Sequence, residues 1–220
     1  MSRRPFNLLV FDWDGTVMDS EAQIVTSLQA AIRDLELPER SDDEAKNIIG
    51  LGLREAFETL YPGSREQIFS DLVERYRHHW LAEDAIPSSL FPGAAELLES
   101  LNDEGYLLAV ATGKGRRGLD KVLDETGLRE LFITTRCADE AFSKPHPQML
   151  EYIIDFTGSD PSETLMIGDT VYDMEMANNA SAHALAVTYG VHELKRLQQH
   201  NPIGVINALT DLQPWLQSRL

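Results

Sequence analysis

The stretch Leu8-Leu9-Val10-Phe11-Asp12-Trp13-Asp14-Gly15-Thr16 decides how this chain is read. Four apolar residues run straight into two carboxylates spaced i and i+2, and a glycine follows. Alternate side chains of a strand share one face, so Asp12 and Asp14 point to the same side. Gly15 lets the chain turn sharply behind them. In an open parallel sheet, ligands bind beyond the carboxyl ends of the strands. Two acids there can divide the work, one attacking as a nucleophile and the other donating and then accepting a proton. The alternative is a capped turn with two solvated acids. The strongly apolar strand directly before the pair argues against it.

Four more apolar runs stand out: Leu107–Ala111, Leu131–Thr134, Leu165–Ile167 and Ala184–Val187. Most are continuous rather than alternating, as expected of strands covered on both faces. Segments with helical spacing lie between them. Pro92-Gly93 precedes Ala94–Leu101, Arg117–Glu125 ends near Gly127, and Pro147–Phe156 ends at Gly158. Alternating strand and helix predicts an α/β fold, a Rossmann-like parallel sheet with helices on both faces.

The first run breaks that rhythm. About 70 residues separate Thr16 from Pro92-Gly93, far beyond an ordinary connection. Ser20 with Gln23 reads as a capping box, and Ile24, Leu28, Ala31, Ile32 and Leu35 follow on one stripe. Ala45–Ile49, Leu53–Leu60 and Gln67–Leu81 read as further helices. The expectation is an inserted all-helical cap over residues 19–86, with the core built from 1–18 and 87–220. The linkers fall near Val17–Asp19 and Asp84–Leu90.

Three further clusters lie at or just after strand ends. Thr112-Gly113-Lys114 offers a hydroxyl and backbone N–H groups that can hold phosphate oxygens at a helix start; an ordinary strand-to-helix turn is the alternative. In Ser143-Lys144-Pro145-His146-Pro147 the prolines stiffen the backbone around Lys144. A lysine fixed in this way suits a phosphate or crowded carboxylates, and otherwise is a solvated loop lysine. Gly168-Asp169 ends another strand, with Asp173 one turn on. Oxygen-only ligands beside a phosphate suit Mg²⁺; an N-cap aspartate and a surface acid are the plainer reading. Together the four clusters converge on one sheet edge.

Composition narrows the partners. The 220 residues carry a formal net charge of −17, which repels nucleic acid and anionic lipid. A small anionic substrate is repelled too, so it needs local positive charge. The single cysteine, Cys137, excludes an intrachain disulfide and a cysteine-based zinc site. The N-terminus, Met1-Ser2-Arg3-Arg4-Pro5-Phe6, is too short and polar for a signal peptide. No apolar run approaches the roughly 20 residues that span a bilayer. The expectation is a soluble cytoplasmic protein.

In order, Asp12–Thr16, Thr112-Gly113, Lys144-Pro145 and Gly168-Asp169 with Asp173 resemble the motifs of the haloacid dehalogenase superfamily, most of whose members are phosphatases. The likeness covers nearly the whole chain, and the insertion resembles that family's type 1 cap. Phe91-Pro92-Gly93, Ala111–Lys114 and Ser143–Pro147 resemble the phosphoglycolate phosphatase-like members. Trp13 departs from the Leu or Met common between the two aspartates, and its side chain is expected to point away from the chemistry.

The resemblance implies a mechanism. Asp12 attacks phosphorus and forms an aspartyl-phosphate. Asp14 protonates the leaving alcohol and then activates water. Mg²⁺ is held by the Asp12 carboxylate, the Asp14 backbone carbonyl and Asp169, with Asp173 in support. Thr112, Gly113 and Lys144 hold the phosphoryl oxygens. Arg54, in the cap stretch Ile48–Arg54 with its two glycines, is the candidate contact to an anionic leaving group; an inter-helix turn is the alternative there. The expected partner is a small phosphorylated metabolite, and the protein a monomer or homodimer.

A phosphosugar mutase and a nucleotide or pyrophosphate phosphatase share this machinery and stay open as alternatives. A dehalogenase does not need Asp14. A non-catalytic binding protein of the same fold would not need the full set of acids.

Overall fold

The computed structural model describes residues 4–82 and 85–219. Met1, Ser2 and Arg3 of the N-terminal stretch, and Asp84 of the second expected linker, lie outside the described residues. The strands are β1 (Leu8–Phe11), β2 (Met18–Asp19), β3 (Ser89–Leu90), β4 (Leu107–Thr112), β5 (Thr134–Cys137), β6 (Thr164–Gly168), β7 (His183–Val187) and β8 (Gly204–Ile206). The helices are α1 (Glu21–Asp34), α2 (Asp42–Asn47), α3 (Leu53–Leu60), α4 (Glu66–Trp80), α5 (Ala94–Asp103), α6 (Arg116–Thr126), α7 (Gln148–Thr157), α8 (Val171–Asn179), α9 (Leu194–Leu197) and α10 (Leu212–Gln217).

β1 is buried along its whole length because it is paired on both sides, with β4 and with β6, always in parallel. The six-stranded sheet runs β5-β4-β1-β6-β7-β8. The chain leaves β1 toward β4 and β5, then returns to the other side of β1 as β6. The switch point therefore falls between the carboxyl ends of β1 and β6. Asp12 N–H donates to Ile167 O at 2.9 Å and ties those two ends together.

Side-chain alternation along β1 feeds two cores. Leu9 and Phe11 pack with residues of α5, α6 and α10, while Leu8 and Val10 pack with residues of α7, α8 and α9. Trp13 continues the Leu9 and Phe11 side, is fully buried, and meets Phe132 edge to face. It points away from the acids, as expected. Gly127 and Gly158 end α6 and α7 in the left-handed conformation that only glycine adopts without strain.

The four helices α1–α4 form the cap around their own apolar cluster, with Leu28, Ile32, Phe57 and Leu72 at its centre. Its two connections pair as an antiparallel ribbon, Met18 opposite Leu90 and Asp19 opposite Ser89. Sequence reasoning took these segments as plain linkers.

Two strand readings and one cap reading need correction. The run at 131–134 is not a strand: Arg129–Leu131 is a 3₁₀ turn, and the strand is Thr134–Cys137. β5 is a half-buried edge, so polar Thr134, Thr135 and Arg136 suit it, while Phe132 turns into the core. β8, at the opposite edge, has only three residues, Gly204, Val205 and Ile206, too short a stretch to be read as a strand. Ser20 stands at the N-cap of α1 but makes no capping hydrogen bond, because its hydroxyl donates to Asp14 instead. The capping box in the cap is Ser41 with Glu44, at the start of α2.

No helix among the described residues is long and apolar enough to cross a membrane.

Candidate active site

Asp12 leaves β1 at the switch point and is fully buried. Lys144 reaches it from the loop before α7, its Nζ 2.9 Å from Asp12 Oδ1 and 2.6 Å from Asp173 Oδ1. Asp169 ends β6, and Asp173 sits in the first turn of α8. Asp12, Asp169 and Asp173 each offer a carboxylate oxygen, and these oxygens lie within 4.8 Å of one another. All three side chains are buried. Three carboxylates thus face one ammonium, which leaves negative charge uncompensated in a dry site.

That excess shows in the acidities. Burial pushes Asp12 well above the ordinary carboxylate range; Lys144 pulls it down, and the Asp173 and Asp169 charges add to the rise. Burial, and then the Asp173 charge, raise Asp169 to about 7, against the Val191 N–H and the Thr16 hydroxyl. For Lys144, burial works against the charged form, but the Asp12 and Asp173 carboxylates outweigh it and hold it at about 12. Asp12 Oδ2 is buried without a hydrogen-bond partner among the described residues. An orphaned carboxylate oxygen in an all-oxygen cluster with surplus negative charge fits a hard divalent cation such as Mg²⁺.

The cluster is held from behind. Thr16 Oγ1 donates to Asp169 Oδ1 at 2.8 Å, and Val191 N–H donates to Asp169 Oδ2 at 2.9 Å. Gly15 and Gly190 leave room for this carboxylate: a Cβ at either would lie 2.4 Å or less from an Asp169 side-chain atom. Thr170 caps α8 in a reciprocal box with Asp173, its hydroxyl donating to Asp173 Oδ2 at 2.7 Å. Asp173 is therefore oriented from one side by the helix start and from the other by Lys144.

Asp14 stands apart from the cluster. Ser20 Oγ donates to its Oδ1 at 2.6 Å, and Lys114 Nζ lies 3.0 Å from the same oxygen. The Lys114 ammonium also sits 4.7 Å from the centre of the Trp80 ring in the cap. Thr112 is buried at the end of β4, one residue beyond the position opposite Asp12, and its Oγ1 accepts the Lys114 N–H at 3.1 Å. Gly113 is pressed by the cap: a Cβ there would lie 2.5 Å from the carbonyl oxygens of Gly50 and Leu51.

The structure thus brings Asp12, Asp169, Asp173 and Lys144 into direct contact, with Asp14, Thr112 and Gly113 on adjoining strand ends. It does not bring Arg54 there. Arg54 lies on the outer face of α3 and forms a two-pronged ion pair with Glu66, its Nη2 donating to Oε2 at 2.8 Å. In the same loop, Gly52 N–H donates to Ser143 Oγ at 2.8 Å. That loop docks the cap onto the core.

Sequence reasoning missed Thr16, Ser20, Gly190 and Val191, and named Lys114 only as the end of the Thr112-Gly113-Lys114 cluster. Thr16 and Ser20 follow the first acids closely enough to have been suspected. Gly190 and Val191 carry no local signal, because their partner Asp169 is more than 20 residues away.

A parallel sheet that gathers carboxylates and one ammonium at its switch point, beneath a lid of helices, defines a cap-bearing hydrolase of the α/β class. The model of the haloacid dehalogenase-like hydrolases matches residues 9–187, and the chain belongs to that family. It is 33% identical to "Probable phosphatase IndB" of Dickeya dadantii over 211 residues, covering 93% of this chain and 91% of that one. It is 31% identical to a phosphoglycolate phosphatase of Agrobacterium fabrum, covering 100% of this chain and 97% of that one. A solved structure from Bacteroides fragilis, described as a haloacid dehalogenase-like hydrolase, superposes with a TM-score of 0.87 at 25% identity, over 94% of this chain and 99% of that one. The chain is a phosphatase.

Proposed function

We propose that this phosphatase is Mg²⁺-dependent and cleaves a small phosphomonoester through an aspartyl-phosphate on Asp12. The observation that carries the reading is the convergence of Asp12, Asp169 and Asp173 to within 4.8 Å around Lys144. The Asp12 and Asp169 carboxylates and the Asp14 backbone carbonyl would hold the ion, with Asp173 in support. When bound, the ion supplies the positive charge that lets a phosphate dianion approach these acids.

An Asp12 carboxylate oxygen forms a bond to phosphorus as the ester P–O bond breaks. Asp14 gives its proton to the departing alkoxide. Both contacts to Asp14, from Ser20 and Lys114, fall on Oδ1, so Oδ2 is the natural carrier of that proton. In the second half, Asp14 takes a proton from water, the water oxygen attacks phosphorus, and Asp12 is regenerated with release of phosphate. Lys144, the Thr112 hydroxyl and the Gly113 N–H would hold the phosphoryl oxygens. This division suits phosphoryl transfer, in which alignment and charge neutralisation dominate.

The working units of this reading are a core of residues 1–18 and 87–220 and a cap of 19–86 that closes to exclude water. Paired ribbon segments at 18–19 and 89–90 are a natural hinge for it. Phosphoglycolate is the first substrate to try, because relatives along the whole chain carry that name. The reading includes a small metabolite as the partner, a cytoplasmic setting, and a monomer or homodimer.

The test is phosphate release from phosphoglycolate and p-nitrophenyl phosphate, with Mg²⁺ and with excess chelator. Turnover that needs Mg²⁺ is expected. Equal turnover in chelator overturns the metal assignment, and no release from any ester overturns the reading.

A further inference from the structure

We infer that the ester best suited to this site carries a bulky, largely apolar leaving group with a planar ring rather than a short acid. The inference rests on the phosphatase reading above. A cavity of about 110 Å³ lies between cap and core. At roughly 10–15 Å³ for each water-sized group, it has room for several groups beyond a phosphate. Asp14 lines this cavity and Asp12 does not. The bond to be broken lies between nucleophile and proton donor, so the leaving group must run past Asp14 into this space.

The walls are aliphatic and aromatic, with Leu28, Ile49, Phe57, Tyr76 and Trp80 contributed by the cap. Phe57 and Tyr76 already meet edge to face at 6.2 Å, an arrangement that a further ring can join. Pockets of this make-up gain affinity by taking apolar surface out of water.

A two-carbon acid uses little of it. Its carboxylate would stop beside Asp14, and the cation at that depth, Lys114, is already matched by the Asp14 carboxylate at 3.0 Å. Arg77 and Arg117 also line the cavity, but both are exposed at its mouth. In a chain of net charge −17 they serve to draw a phosphate dianion in.

The experiment compares kcat/KM of the purified full chain, at saturating Mg²⁺, for ethyl phosphate, 2-phenylethyl phosphate and phosphoglycolate. Ethyl and phenylethyl alkoxides leave with similar intrinsic ease, so the difference between those esters reads the cavity. The phenylethyl ester is expected to exceed both others about tenfold or more, mainly through KM. Ala56→Leu, which fills part of the cavity, is expected to remove most of that advantage. Phosphoglycolate or ethyl phosphate matching the phenylethyl ester overturns the inference and leaves the phosphatase reading standing. Failure to release phosphate from all three overturns that reading, and the inference with it.

Discussion

Lys144 Nζ stands 2.9 Å from Asp12 Oδ1, with both side chains buried. This pair fixes the Asp12 carboxylate and supplies the one positive charge inside the acid cluster. Removing Lys144 strands the carboxylates, whereas removing Asp12 leaves Lys144 paired with Asp173 at 2.6 Å, so the two losses should differ in kind.

Asp12→Asn removes one of three crowded carboxylates, the one proposed as nucleophile. It should abolish phosphate release, by about 10³-fold or more, and leave the fold intact. Its melting temperature without Mg²⁺ should be no lower than that of the wild type, because a buried uncompensated carboxylate is gone. Lys144→Met strands buried carboxylates instead. It should lower kcat by about 10²–10³-fold and also lower the melting temperature. Phosphate release and thermal melts of both variants check this. Retained turnover in Asp12→Asn would exclude the covalent mechanism.

Gly190 backs the carboxylate of Asp169 so closely that a Cβ would lie 2.2 Å from Asp169 Cβ. Its backbone is not in the left-handed region, so Gly190→Ala is a purely steric change. The variant should need about tenfold or more Mg²⁺ for half-maximal activity. Wild-type protein should be stabilised by Mg²⁺, by about 2.7 kcal/mol at a hundredfold excess over Kd, and the variant by less at the same concentration. Mg²⁺ titrations of activity and of melting temperature read both effects.

Lys114 bridges Asp14 and the Trp80 ring, so it links the Asp14 carboxylate to the cap. Lys114→Met keeps most of the side-chain bulk and deletes the charge. Turnover should fall about tenfold or more, while the Mg²⁺ requirement stays as in the wild type. A change in Mg²⁺ requirement as large as that of Gly190→Ala would place Lys114 in the acid cluster rather than beside Asp14.

Cys137 is buried at the end of β5, and burial raises its thiol to about 12, against the pull of Arg116. The thiolate is the reactive form, so the native protein should resist thiol reagents at pH 8 and react at the rate of global unfolding. The folded value lies above the ordinary 9.0. The thiol's contribution to stability is therefore intact below about pH 9 and is lost between there and about pH 12. A Cys137→Ala variant should show a shallower fall in stability over that range in alkaline denaturation.

Much of this molecule was legible along the chain. The central strands announce themselves because two-sided burial demands unbroken apolar runs, as in Leu8–Phe11 and Leu165–Ile167. Asp12, Thr112 and Asp169 are legible because each ends such a run. The edges were not: β5 carries Thr134, Thr135 and Arg136, and β8 spans three residues, since an edge strand needs fewer apolar contacts. Arg54 shows the reverse failure. Its place beside two glycines suggested a ligand, yet Glu66, 12 residues on, takes its charge on the outside of the cap.

Burial and turn chemistry act over a few neighbouring residues, so the α/β alternation, the helical insertion and the identity of the acids can be read along the chain. Which charges meet is set by the fold. Lys144 with Asp12, Thr16 with Asp169 and Lys114 with Asp14 are joined by strand order and cap docking across long stretches of chain. Coulombic forces and hydrogen bonds act through space, over a few ångströms, and leave no periodic trace in the order of residues.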